Sequence, residues 1–239
     1  VCAHIPDVDS FFKGVKNILD DNGIFVFEVS YLLDVINKLT FDTIYHEHMS
    51  YHAIRPLIKF AKKNNLQVFD FDLVKAQGGS IRVYVSHLGK KKVNNIKIKN
   101  QIVLENNKGL FSEKLYDNYM KRINNQKNIL SKILKSLKKQ KKNIIGFGAP
   151  AKLTTFSYKF NINNKIVPFV VDDNYLKQNR YSPGKNIKII SYKNLKTKRF
   201  DVIIIFAWNF AESIIMRIKK DFKDKLIIVP FPKVKIIKK

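Results

Sequence analysis

The chain has 239 residues, 45% hydrophobic and 12% aromatic, enough to bury a sizeable core as one large domain or two small ones. A single cysteine, Cys2, excludes an internal disulfide framework and a cysteine-rich zinc site. No apolar run approaches the ~20 residues that cross a bilayer and no signal-peptide pattern opens the chain, so no membrane partner is expected and the cytoplasm is the default compartment. The formal net charge of +26 raises nucleic acid as a partner. Against it, the lysines are spread along the chain and travel with abundant Asn and Ile, a bias that an AT-rich genome produces unaided. No zinc-finger spacing or RNA-recognition signature accompanies them, and the one dense run, Lys132 to Lys142, reads as a solvated helix face. Nucleic acid is not the expected partner.

In chain order, residues 1–6 resemble the end of a strand. Residues 7–19 predict an amphipathic helix with Phe11, Phe12, Val15, Ile18 and Leu19 on one side, stopped by Asp20-Asp21-Asn22-Gly23. A short apolar strand is expected at 24–29, a helix at 31–39, a loop through the His/Tyr run, and a helix at 55–64 with Pro56 in its first turn. Residues 66–74 and 80–88 predict an antiparallel hairpin joined by Lys75-Ala76-Gln77-Gly78-Gly79. A basic connector at 89–98 leads to a long helical pattern over about 110–141. Strands are then expected at 143–147, 165–171, 201–206 and 226–229, with helices to about 160 and over 211–221. That alternation predicts a parallel sheet with helices on its faces. There is no internal repeat.

The densest chemistry lies in Tyr45-His46-Glu47-His48, followed by Tyr51 and His52. Imidazole exchanges protons near neutral pH, a carboxylate can fix its tautomer, and a phenol can polarise a substrate oxygen. The inventory suits proton abstraction beside a carbonyl; a polar turn with solvated histidines is the plain alternative. His46 and His48 on a strand could share a face and bind metal, but no third ligand stands at suitable spacing. Gly146-x-Gly148 before a helix could offer backbone amides to a phosphate, with Pro150 in the first turn, Lys152 adding charge, and Asp172 or Asp173 placed for ribose hydroxyls. The third fingerprint glycine is missing, and a structural tight turn fits the spacing equally. Asp172-Asp173-Asn174 is more simply a strand-end cap than a metal site. Trp208-Asn209 ends a strand where ligands collect in open α/β sheets, although a lone Trp usually packs. Gly78-Gly79 before Arg82 could bring backbone near a ligand with Arg82 facing an anion; a hairpin turn with a surface arginine is the favoured reading.

Together these motifs carry a family likeness. Cys2-Ala3-His4-Ile5-Pro6-Asp7, Gly23-Ile24-Phe25-Val26-Phe27-Glu28-Val29, Ile44-Tyr45-His46-Glu47-His48-Met49-Ser50-Tyr51 and Gln77-Gly78-Gly79-Ser80-Ile81-Arg82 follow one another as in the sugar C-methyltransferases. Gly146-Phe147-Gly148-Ala149-Pro150-Ala151-Lys152, Val171-Asp172-Asp173-Asn174, Tyr181-Ser182-Pro183-Gly184 and Ala207-Trp208-Asn209-Phe210-Ala211 resemble that family's C-terminal domain, in order. The resemblance covers nearly the whole chain. It implies S-adenosylmethionine-dependent methylation at C3 of a nucleotide-linked 4-keto deoxysugar. His48 would be the general base that removes the C3 proton, Tyr45 and Glu47 would orient the sugar and stabilise the enolate, and His4 would be a second acid/base or substrate contact. Candidate substrate-binding residues are Gly78, Gly79, Arg82, Gly146, Gly148, Lys152, Asp172, Trp208 and Asn209.

The family also has an N-terminal zinc module and a glycine-rich strand–turn for S-adenosylmethionine, and this chain contains neither. No metal site is expected in the chain itself. The expectation is an α/β protein: a remnant of a class I methyltransferase sheet (residues 1–98, with 24–29 as its fifth strand and the hairpin as its last pair), a helical linker (99–141) and a Rossmann-like parallel domain (142–239). The remnant should leave a strand edge and apolar faces uncovered. The chain would be a fragment, from a truncated gene, an incomplete sequence or a split enzyme, inactive without the cofactor-binding half that would be its partner. The alternative is a non-catalytic nucleotide-sugar binding module in which residues 143–239 hold the nucleotide.

Overall fold

A computed structural model describes residues 2–238. It contains two compact units, one formed by residues up to Thr40 with His46–Met120, the other by Phe41–Tyr45 with the residues from Lys121 onward. No described helix is long and apolar enough to cross a membrane.

In unit 1 the strand end expected at 1–6 is instead a 3-10 turn at Cys2–His4 with Cys2 buried, and Val1 lies outside the described residues. Helix α1, Val8–Ile18, starts where the Asp7 carboxylate accepts from Ser10 N at 2.9 Å. It buries Phe12 and Val15 and leaves Ile18 85% exposed, so the apolar side is narrower than the pattern predicts. β1, Phe25–Ser30, runs into α2, Leu32–Asn37; α3 is Ile54–Lys63, and β2, Leu66–Val74, and β3, Ser80–His87, form the hairpin. β3 lies between β1 and β2, antiparallel to both. One face of this sheet buries Phe27, Val29, Ile81, Val83, Val85, Leu66 and Val68, with Phe12 edge-on to Phe25, Phe27 and Phe60.

The other face departs from the apolar expectation. There Arg82 stands across from Glu28 and Asp72 and pairs with Glu28 at 2.9 Å. The Tyr84 hydroxyl donates to Asp72, and Lys97 reaches both Asp70 and Asp72. Polar residues mostly alternate with apolar ones along the strands, so this face is largely polar, with Val26 left 46% exposed on it. The edge of β1 away from β3 carries no strand among the described residues.

The stretch expected as connector and linker holds two helices, α4, Asn95–Asn107, and α5, Glu113–Lys139. α4 belongs to unit 1 and buries Ile98, Gln101 and Glu105, whereas α5 continues into unit 2 beyond Met120.

Unit 2 holds β4, Ile144–Phe147; α6, Lys152–Phe160; β5, Phe169–Val171; β6, Lys188–Ile190; α7, Tyr192–Leu195; β7, Val202–Ile205; α8, Ala211–Asp221; β8, Leu226–Val229; and β9, Lys235–Ile237. The sheet order is β6-β5-β4-β7-β8-β9, parallel except for β9. β4 and β7 are fully buried runs of Ile, Val, Phe and Gly, as a sheet covered on both faces requires. β5 begins later than the pattern predicts, after Pro168, which has no N–H for a ladder. Because the order reverses between β4 and β7, a crevice opens at their carboxyl ends.

Candidate functional site

Unit 1 brings together two of the histidines singled out above. His4 leaves the first turn and His48 follows the His46–Glu47 turn, and their rings stack with centroids 5.1 Å apart. The Met49 amide donates to the Ala3 carbonyl at 2.9 Å, tying the two backbones beside the rings. Tyr51 meets His48 edge-on at 6.4 Å. His4 is exposed and His48 half-buried, so the pair can reach a ligand while staying ordered. The run is a turn, not a strand, so the shared strand face of the metal reading does not form. Glu47 carries its carboxylate 3.8 Å from His46 Nε2. Nearby, half-buried His52 meets Ser50 Oγ at 2.9 Å, and burial pulls its pKa down to about 4.

Tyr45 belongs to the segment that is part of unit 2. There, Phe41 packs on Phe156, Phe160 and Phe231, and the Ile44 carbonyl accepts from Thr155 Oγ1 at 3.1 Å. Between them the Asp42 side chain is 1% exposed and accepts from Trp208 Nε1 at 2.6 Å. Lys152 sits with its ammonium 4.1 Å over the Trp208 ring and donates to Asn209 Oδ1 at 2.6 Å. Three sequence candidates, Lys152, Trp208 and Asn209, therefore meet each other around Asp42. Burial pushes the Asp42 pKa up to about 6, opposed by Lys152, the Trp208 indole and the amides of Asp42 and Thr43. Burial pulls the Lys152 pKa down, and the charge of Asp42 opposes that.

At the crevice between β4 and β7 lies a cleft of about 490 Å³ lined by Phe147, Gly148, Asp173, Lys177, Phe210 and Arg217 among others. The Gly148 amide is engaged by the Val171 carbonyl and the Ala149 amide by Asp172 Oδ2, both at 2.7 Å. Asp172 Oδ1 accepts from Asn174 N at 2.9 Å, so this aspartate caps the turn with both oxygens. Gly148 has φ +87°, and a Cβ there would come within 2.4 Å of Ala207 Cβ; a Cβ at Gly146 would strike Phe206. Close packing thus requires both glycines. In unit 1, Gly78 and Gly79 turn the chain into β3; Gly79 has φ +134° and lies against Asp34, while Arg82 is engaged by Glu28.

Two comparisons bear on this arrangement. Residues 75–232 match the C-methyltransferase C-terminal domain family. The chain belongs to that family. It is also 28% identical over 237 residues to the C-methyltransferase NovU of Streptomyces niveus, covering 98% of this chain and 56% of that relative. The chain thus spans little more than half the relative's length. The α/β fold and the family likeness of the sequence motifs both stand. The family match takes in the Lys152–Trp208–Asn209 cluster and the crevice, while Asp42, His4 and His48 lie before it.

S-adenosylmethionine needs a strand that opens through glycine into a helix, where amides and a strand-end acid can hold it. Among the described residues of unit 1, Gly14 lies within α1, Gly23 precedes β1, Gly78 and Gly79 join β2 to β3, and Gly89 and Gly109 lie in loops. None of these opens a strand into a helix; the one such turn among the described residues is β4–Gly148–α6 in unit 2, where the Gly148 and Ala149 amides are already engaged. Among the described residues no group of three or more His, Cys, Asp or Glu could hold a metal ion. Asp42 and Tyr51 were not singled out as site residues. The one signal for Asp42 is an acid set between apolar Phe41 and the Tyr/His run.

Proposed function

We propose that this chain carries the proton-abstracting part of a C-methyltransferase that transfers a methyl group from S-adenosylmethionine to C3 of a nucleotide-linked 4-keto deoxysugar. The observation that carries this reading is the stacked His4–His48 pair, 44 positions apart in sequence and 5.1 Å apart in space. His48 takes the C3 proton, and His4 beside it contacts the sugar or carries a proton in turn. Tyr45 and Glu47 supply the donor and the charge that orient the sugar and favour its enolate, which needs its partners placed in advance. No step of methyl delivery is assigned to the residues described.

In deuterated buffer the native enzyme should exchange the C3 hydrogen of such a sugar, and His48→Ala should slow exchange by about 100-fold or more. Exchange indifferent to that substitution would sink the assignment. The crevice of unit 2 favours a second reading, a nucleotide-sugar binding module with the nucleotide in the 490 Å³ cleft beside Gly148, Asp172 and Arg217. Sugar binding without any C3 exchange is its signature.

A further inference from the structure

Buried carboxylates are expensive unless fully paired, and Asp42 is not. Its Oδ2 accepts from the Trp208 indole, but its buried Oδ1 has no hydrogen-bond partner among the described residues. An apolar side chain would fill the same space at lower cost. What the carboxylate adds is direction, because one indole N–H fixes where the residue sits. Lys152 completes the arrangement, lying over the Trp208 face and bound to Asn209. Trp208 and Asn209 share one turn, and Lys152 opens α6, so two structural elements and residues 41–45 must agree on one geometry. The same segment is fastened at both ends, by the Phe41 ring among Phe156, Phe160 and Phe231, and by the Ile44 carbonyl on Thr155. One residue later comes Tyr45, and then the His46-Glu47-His48 turn.

We propose that Asp42 is a positioning residue for the chemistry at His48: with Trp208 and Lys152 it fastens residues 41–45 within unit 2 and thereby sets where Tyr45 and the histidine turn begin. The proposal rests on the reading that His48 removes the C3 proton. Tyr45 and His48 lie three positions apart, at most ~11 Å of extended chain, so little slack can absorb a shift at the fastening. Misplacement of a reacting group by about 1 Å can cost on the order of 100-fold in rate. Asp42 touches no substrate in this scheme. It acts through the backbone that it anchors.

The test pairs amide exchange with catalysis in the native enzyme. Trp208→Phe keeps an aromatic ring in place and removes only the N–H, so it isolates the fastening from gross packing; Asp42→Ala removes the acceptor. Each should speed amide exchange across residues 41–48 about tenfold or more, while β4 and β7 keep their protection. Each should lower kcat for C3 exchange about tenfold to 100-fold with the sugar's KM within about twofold. Unchanged amide exchange in Trp208→Phe overturns the fastening. Faster amide exchange with undiminished kcat overturns the positioning role and leaves the assignment of His48 intact. A native enzyme that never exchanges C3 hydrogen removes the underlying reading and this proposal with it. Loss of protection throughout β4 and β7 means general unfolding, and also counts against it.

Discussion

His52 shows how closely a histidine's burial and its chemistry are linked. Its pKa is pulled to about 4 by burial, below the ordinary 6.5, so between those values the folded chain binds fewer protons than the unfolded one. Its contribution is fully present above pH 6.5 and is lost as pH falls toward 4, by up to about 3 kcal/mol. Urea unfolding at pH 7.5 and 4.5 should show this loss in the wild type and a smaller one in His52→Gln; equal slopes would refute the assignment. At this scale the sequence was legible where residue type carries chemistry. His4 and His48 were singled out through the family resemblance and Lys152, Trp208 and Asn209 through their places at strand and helix ends; the structure adds which of them touch one another. Asp42 was not singled out, because its partner Trp208 lies 166 positions away and no local pattern connects them.

α4 was legible only in part: the helical linker expected over 99–141 takes in its second half, but its start at Asn95 lies in the stretch read as a connector. A helix is found in sequence by its apolar stripe, and the stripe that α4 buries is Ile98, Gln101 and Glu105, mostly polar. The reason lies in another helix. α3 has Ala53 at its N-cap position, which offers no side-chain acceptor, and Glu105 supplies one instead, accepting from Ile54 N at 2.8 Å and Arg55 N at 3.2 Å. The same carboxylate accepts from the Tyr31 hydroxyl at 3.1 Å, and Gln101 donates to that hydroxyl. Glu105 is 0% exposed, so Glu105→Ala strands three donors and should cost about 3 kcal/mol or more in a denaturant melt. A loss below about 1 kcal/mol would mean that water satisfies those donors. The three-residue strands β6 and β9 escaped for a simpler reason, being too short to show a period of two.

At the scale of the whole molecule, alternation of apolar runs and helices sufficed to foresee the parallel sheet of unit 2, because long-range parallel pairing follows from few rules. It did not reveal the order of the strands, and hence the crevice between β4 and β7, since pairing is not written in any one strand. The charge of +26 also belongs to this scale. Many of the lysines stand exposed on α5 and elsewhere. Any binding to duplex DNA at low salt should therefore collapse by about 150 mM salt; retention there would reopen nucleic acid as a partner.

Trp208 is the chain's only tryptophan. Its indole N–H is on Asp42 and its face is under Lys152. Intrinsic fluorescence excited near the red edge of protein absorption therefore comes from one ring at the anchor of residues 41–45, with no label and no background from a second indole. Any change in that anchor alters the charges on both sides of the emitting ring, so emission wavelength and quenching become a direct optical record of whether the segment is seated.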